Sequence, residues 1–425
     1  MATAVAGAKP VAWWKEPTRD QWYAWWAAWL GWTLDAFDFT VFLLIMKPIA
    51  DEFHAPLTEV AFVLTITLWM RLIGAVGAGW LADRIGRKTP LMISIAWYSL
   101  ANFIAGFSPS LLFLLVFRAL LGIGMGAEWP VGAALVMENW PARSRGLMSG
   151  ILQASGNLGF LLSSIIYGLF YNQLGWRGML WLGILPALSI IYIRFFVKEP
   201  EVWVENRRRQ REEKREMKAP LFAIFRRGVL GNTLSACWFM ASAFVTYYSI
   251  NSLFAAHLQT DLHMSPALIA TPIAIANLLA FISSASCGWF SERIGRRWAM
   301  ILPALLAIPL APIYLFTGNF AIMAVAFSLQ GLAGSGGMFG QVPSYLNERF
   351  PTEVRATATA FCYHQGAIWG GFCAPILAYL ATTWGTGLAL PMLIGTVIGA
   401  GSFIIALLLG PETRGKELVP DLVLA

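Results

Sequence analysis

Residues 79–88 read GWLADRIGRK, and residues 288–297 read GWFSERIGRR. A second pair, PARSRG from Pro141 and PTEVRA from Pro351, recurs at nearly the same offset. Two landmarks repeated at one spacing predict a chain made of two parallel copies of one unit. Each landmark is a short charged break between long apolar runs, so the repeated unit is a set of membrane-length helices.

Composition leads to the same class. Of the 425 residues 58% are hydrophobic and 12% charged, and mean hydropathy is +0.63, far outside the range of soluble globular chains. The apolar runs reach the roughly 20 residues that a helix needs to cross about 30 Å of hydrocarbon at 1.5 Å per residue. They predict twelve spans, near 22–47, 59–82, 90–108, 111–138, 147–171, 176–197, 229–256, 267–290, 298–316, 320–346, 356–380 and 388–409. The expected fold is an all-α membrane protein of twelve transmembrane helices in two six-helix pseudo-repeats. The halves cover 1–197 and 229–425, joined by a charged linker over 198–228. Parallel repeats of this kind place a substrate site at their interface, near the bilayer midplane.

A net charge of +7 would suit a nucleic-acid partner, but the positions of the basic residues exclude one. Nearly all of the 30 Lys and Arg fall in the tails, from Lys9, Lys15 and Arg19 onward, and in alternate loops, against Lys47 and Arg177 on the other side. That bias predicts both termini in the cytoplasm of a bacterial inner membrane. In the linker, VENRRRQREEKREMK (204–218) reads either as a surface amphipathic helix or as a plain connector. The segment before the first run is polar and no small-residue cleavage site follows that run, so an uncleaved first span is expected. Cys237, Cys287, Cys362 and Cys373 all sit in apolar runs without metal-ligand spacing and read as packing residues. No nucleophile–base set and no phosphate-binding G-x-x-x-x-G-K-[ST] is present, so neither an enzyme nor an ATP-driven pump is expected. The reading requires no cofactor and no metal, and takes the chain as a monomer in the lipid bilayer.

The duplicated loop, with its G-x-x-x-D-R-x-G-R-K pattern between spans 2 and 3, resembles the major facilitator signature. RALLGIGMGAEWP (118–130) is similar to that family's R-x-x-x-G-x-G-x-G element in span 4, and PETRG (411–415) resembles the sugar-porter branch. More narrowly, QWYAWWAAWLGWTLDAFDF (21–39), Arg71 and the Glu128 element resemble the sialate and monocarboxylate proton symporters. The aromatic-acid symporters share the D-x-x-D of span 1. The resemblance implies secondary transport: proton-coupled uptake of an organic anion, a monocarboxylate such as lactate or pyruvate, or a sialate-like sugar acid. An aromatic acid and a neutral sugar are the alternatives within transporters, and a non-transporting sensor is the alternative class. Two departures accompany it. Sialate carriers of that branch follow a fourteen-span plan, and nothing here supplies two more spans. Span 7, NTLSACWFMASAFVTYYSIN (232–251), lacks the polar His/Gln/Asp signature of yeast-type lactate permeases. Span 5 (GILQASGNLGFLLSS, 150–164) lacks the G-P pair of drug antiporters, which favours symport.

Ionisable groups at span depth are expensive and therefore informative. Asp35 and Asp38 lie three apart on span 1, Arg71 lies mid-span 2, and Arg118 and Glu128 lie roughly 15 Å apart along span 4. Either the three acids neutralise the two arginines in a fixed network, or a carboxylate alternates between ionised and protonated forms and thereby frees an arginine for a substrate carboxylate. Arginine suits that second role because its fork binds carboxylate bidentately and keeps its charge. Proton coupling is therefore assigned to Asp35, Asp38 or Glu128, and anion binding to Arg118 first and Arg71 second. Gly122 and Gly126 are read as helix-packing residues. Gln153 and Asn157, four apart on span 5, either line the cavity or bond another helix. The second half offers hydrogen-bonding groups only: Tyr247, Tyr248, Asn251, Asn277, Gln341, His364 and Gln365. His364 reads either as a proton carrier or as a satisfied structural group. In the loops, Asp83, Arg84, Gly86 and Arg87, with Arg293 and Arg296 in the second copy, are expected to gate. The resemblance implies a latch between halves; physically, the Asp83 carboxylate would be stabilised near the positive N-terminus of a helix from the other half, and span 11 is the expected partner.

Overall fold

A computed structural model describes residues 13–55, 57–213, 220–254, 257–258, 262–263 and 266–418. Lys9, residues 255–256 of the expected span 7 and residues 214–218 of the linker lie outside them. All regular structure among the described residues is helical. Span 1 is Arg19–Glu52, opened by a capping box in which the Thr18 hydroxyl accepts from the Gln21 N–H and the Gln21 side chain accepts from the Thr18 N–H. Span 2 is Leu57–Ile85, span 3 Lys88–Ala105, and span 4 Leu111–Met125 continued by Glu128–Asn139. Eleven segments of the described chain are long and apolar enough to cross a membrane. Span 3 is the twelfth: its 18 residues open on Lys88 and bury Asn102, which lowers its average, yet it packs between spans 2 and 4.

Two boundaries differ from expectation. Spans 5 and 6 are not separated by a loop, because the helix runs from Arg145 to Trp181 and turns at a single residue, Gly175, whose φ of 62° and ψ of −176° belong to glycine. Span 6 then continues through a 3₁₀ turn, Leu182–Ala187, into Leu188–Phe196. Span 10 is also not one regular helix: Phe320–Gln330 passes through a π-helical turn, Gly331–Gly337, before Val342–Arg349. The linker forms a helix over Glu201–Glu212 that buries Asn206 and Gln210. Spans 7, 8, 9 and 12 are Arg227–Asn251, Pro266–Ile294, Arg296–Phe316 and Ala389–Leu409, and span 11 is Arg355–Gly371 followed by Cys373–Trp384.

The two halves pack by the same rule. In the first, a Cβ on Gly122 or Gly126 would strike the carbonyls of Thr67 and Arg71, so span 4 lies directly on the span 2 backbone. In the second, Gly331 and Gly336 bring span 10 onto Ala276 and Ala280 of span 8. Between halves, span 2 packs on span 11 and span 5 on span 8. The outer surface is apolar: Leu112, Phe195 and Leu409 are more than 70% exposed, where only lipid would cover them.

Gly122→Leu should therefore cost about 1–3 kcal/mol or more through overpacking, whereas Gly77→Ala, with no atom within 4 Å of the added methyl, should leave the protein intact. Fluorescence-detected size exclusion with a heating series checks both: a lowered apparent Tm for the first and an unchanged one for the second.

Candidate substrate pathway and gate

The duplicated decapeptide acquires a physical reading at the face where the chain's ends meet the bundle. Gly79 lets span 2 touch span 11 at Ala356 and Thr357. One turn later, Asp83 accepts from the N–H groups of Ala356 (3.2 Å) and Thr357 (2.9 Å) and from the Thr357 hydroxyl (2.7 Å). A carboxylate thus caps the N-terminus of a helix from the other half, where free N–H groups and the helix dipole favour negative charge. Gly86 takes φ 108°, and a side chain there would collide with Glu199, which accepts from the N–H groups of Arg87 (2.6 Å) and Lys88 (2.9 Å). Burial raises the pKa of Glu199 despite those bonds. The Arg87 side chain bridges Asp83 (3.0 Å) and, through two nitrogens, Glu138 at the end of span 4 (2.9 and 2.8 Å). Burial alone would lower the Arg87 pKa; Glu138 and Asp83 hold it above its ordinary value. Glu138 also accepts from Arg355 of the second half at 2.8 Å.

The second copy repeats this wiring. Gly288 meets Gly146 and Leu147, and Glu292 accepts from the Gly146 N–H at the start of span 5 (2.6 Å). Gly295 takes φ 95° beneath Glu412, which accepts from the Arg296 and Arg297 N–H groups. Glu348 is shared by Arg296 of its own half and Arg145 of the other, each at 3.4 Å. Two carboxylates therefore each hold one arginine from each half.

Arg84 and Arg293, also expected to gate, are not part of this wiring. Each is exposed and lies over a tryptophan ring, Trp80 and Trp289 respectively, because the residue following the cap points away from the seam. Gln341, expected to bind substrate, sits at the same face: it donates to the carbonyl of Gly146 across the seam (3.1 Å) and accepts from Ser344.

In the interior, the first half collects its charges. Arg71 holds Asp35 at 3.1 Å through one nitrogen, lies over the Phe39 ring, and keeps 11% of its side chain exposed. It lies within electrostatic reach of Tyr248, Tyr363 and His364 of the second half, so it faces the inter-half space. Arg118 is different. It is fully buried, donates to Asn102 (3.3 Å) and sits 4.2 Å over the Phe42 ring. Neither oxygen of Asp38, nor Oδ1 of Asp35, nor Oε1 of Glu128 has a hydrogen-bond partner, and Glu128 presses against Gly31 of span 1. So many buried polar atoms without a close partner within a few turns call for an explanation beyond packing.

Around Arg71 the walls are aromatic. Trp129 stacks on Tyr363 across the halves with centroids 3.8 Å apart, Trp32 stands edge-on to Trp129, and Gln153 accepts from the Trp129 indole (3.1 Å). Asn157 is half-buried one turn from Gln153. Tyr247 and Tyr248 pack edge to face. Other expected groups bond elsewhere. Asn277 donates to its own helix at Ile273, Gln365 donates to the Cys237 carbonyl of span 7, and His364 is buried with Nδ1 3.2 Å from the Ala360 carbonyl. Asn251 ties span 7 to span 10 through Ser335 (3.0 Å). Among the described residues no group of three or more His, Cys, Asp or Glu is arranged to hold a metal.

The pattern of the Major Facilitator Superfamily matches residues 28–255 and again 240–422. The chain belongs to that superfamily. It is a multi-pass membrane transporter, not an enzyme. This transporter is 31% identical, over 95% of its length and 94% of the relative's, to a probable 4-methylmuconolactone transporter of Cupriavidus pinatubonensis. It is 28% identical to the sialic acid transporter NanX of Escherichia coli, over 95% of this chain and 97% of that one. Coverage so complete leaves no room for two additional spans, so a fourteen-span plan does not separate this facilitator from that carrier. Its fold matches the proton:xylose symporter XylE with a TM-score of 0.78 at 19% identity, over 94% and 98% of the two chains.

Sequence reasoning passed over Glu138, Glu199, Arg145 and Arg355, and with them Glu292, Glu348 and Glu412. A signal existed, since Glu138 and Arg145 recur as Glu348 and Arg355 around the repeated prolines. Glu138→Gln should strand two buried guanidinium groups, a change worth about 3–5 kcal/mol at a buried pair, and release the seam. In a background without native cysteines, maleimide labelling of Leu147→Cys should accelerate about tenfold or more; an unchanged rate would show that the seam does not depend on Glu138.

Proposed function

We propose that this facilitator is a secondary transporter that takes up an organic anion together with protons. The observation that carries the reading is the Arg71–Asp35 pair: a permanent cation facing the inter-half space, held through one nitrogen by a carboxylate whose second oxygen is unpartnered. Protonating Asp35 removes its claim on Arg71, and the freed guanidinium fork then matches a substrate carboxylate. Asp38 and Glu128 are the companion proton sites, and the wholly buried Arg118 holds the field of Asp38 rather than touching substrate.

The stacked Trp129–Tyr363 pair, Trp32 and Tyr248 give the remainder of the substrate broad apolar faces. They favour a carboxylate on a ring or a sugar-sized body over lactate or pyruvate. The sialic acid and methylmuconolactone carriers among its relatives support that size class. The basic tails and loops support a plasma-membrane location, the bacterial inner membrane, with both termini cytoplasmic.

Proteoliposome counterflow against sialate, benzoate, muconate-type acids, lactate and xylose tests the class: exchange of a ring-bearing or sugar acid is expected, and exchange of xylose alone would overturn it. No counterflow with any acid, in folded protein, would favour a sensor. Arg71→Lys should raise the apparent KM about tenfold, the loss of one charge-assisted fork contact worth about 1.5–3 kcal/mol. Asp35→Asn, fixed in a neutral form, should keep counterflow while losing accumulation driven by a pH gradient. Full uphill uptake in Asp35→Asn, Asp38→Asn and Glu128→Gln alike would remove these acids from coupling.

A further inference from the structure

A cavity of about 220 Å³ opens at the charged face, away from Arg71, lined among others by Gly228, Asn232, Arg349, Arg355, Lys416 and Glu417. Its cationic lining outnumbers its one acid. The repeat explains most of it. At the end of span 4 the side chain of Gln21 donates to the Asn139 carbonyl, and at the matching end of span 10 the side chain of Asn232 donates to the Arg349 carbonyl. The same tie is made twice, but the second half places a guanidinium where the first has an amide. Arg87, Arg145, Arg296 and Arg355 each pair with a carboxylate at the seam. Arg349 pairs with none among the described residues. It is 5% exposed, donates from Nε to the Asn232 side chain (2.7 Å) and from Nη2 to the Asn232 carbonyl (3.3 Å), lies over the Tyr345 ring, and leaves Nη1 buried without a partner. A buried, unpaired charge of this kind is costly unless an anion completes it.

We propose that this cavity binds a phosphate-bearing anion, with Arg349 as its anchor and Lys416 and Arg355 completing the positive wall. Arginine beside a second cation suits a phosphoryl group, whose several oxygens take more than one fork. The position suits a phospholipid headgroup: the cavity lies at the start of span 7, which follows in sequence the short helix Pro220–Ala223, from which Phe222 stands 75% exposed. A free phosphate offers the same chemistry. An anion there also draws on Arg355, the guanidinium that reaches Glu138 across the seam, so occupancy couples to the gate. The site is independent of the substrate assignment and is tested without transport.

Two arms separate the sources, both on folded full-length protein checked by size exclusion. In the first, delipidated protein in detergent is titrated with inorganic phosphate against chloride at fixed ionic strength, reading thermal shift. In the second, protein from nanodiscs of phosphatidylcholine alone, or with phosphatidylglycerol, is examined by native mass spectrometry for retained lipid. Saturable stabilisation by phosphate, or selective retention of phosphatidylglycerol, is expected, and whichever arm responds names the source. Arg349→Gln should weaken that response about tenfold, and Lys416→Gln, which spares the Asn232 contact, about threefold. The charge-matched control Arg211→Gln on the linker helix should leave it unchanged. No response in either arm, or equal responses in Arg349→Gln, Lys416→Gln and wild type, overturns the proposal.

Discussion

One buried carboxylate shared between two arginines governs the arrangement of this molecule. Glu138 receives Arg87 from its own half and Arg355 from the other, and Glu348 does the same with Arg296 and Arg145. Buried ion pairs of this kind add little net stability, because desolvation offsets much of their attraction. Their value lies in what happens on separation, when each charge would be left alone in a poorly solvated place. In the structure the seam is closed with these charges matched, and opening it would require water to replace the partners. The helix caps made by Asp83 and Glu292 follow the same logic, since each belongs to one half and stabilises a helix end of the other.

The interior obeys the opposite rule. There the charges fall in one half, and Arg71 has its positional counterpart in Ala280, the second residue on which the matching span lies. The duplicated backbone supplies two equivalent scaffolds, and substitution at single positions has given them different chemistry. The first half carries charge, while the second faces it with Tyr248, Tyr363 and His364. Under the proposed function, the titratable half would answer to protonation and the aromatic half to the shape of the substrate.

The membrane class, the span count and the doubled unit were legible because they rest on length, apolar composition and repetition, which survive without coordinates. Asp83, Gly86 and Arg87 were legible because they recur in a motif. Glu138 and Glu348 were not, because the second repeat was read from its prolines, three residues after each glutamate. The seam contact of Gln341 was not legible, because its partner Gly146 lies in the other half and only packing brings the two together. The choice between Arg71 and Arg118 was also hidden: helices apolar all round give no face to orient by, and only packing shows that one guanidinium reaches the inter-half space while the other is sealed under Phe42.

The clamps over Gly86 and Gly295 have a consequence for the order in which the molecule is made. Glu199 follows span 6, so the first signature loop can be fixed as soon as half of the helices exist. Glu412 follows span 12, and the second loop must wait for the last helix. The first half therefore contains every partner of its own clamp by the end of span 6, whereas the second half acquires its clamp only with the residues that follow its last helix.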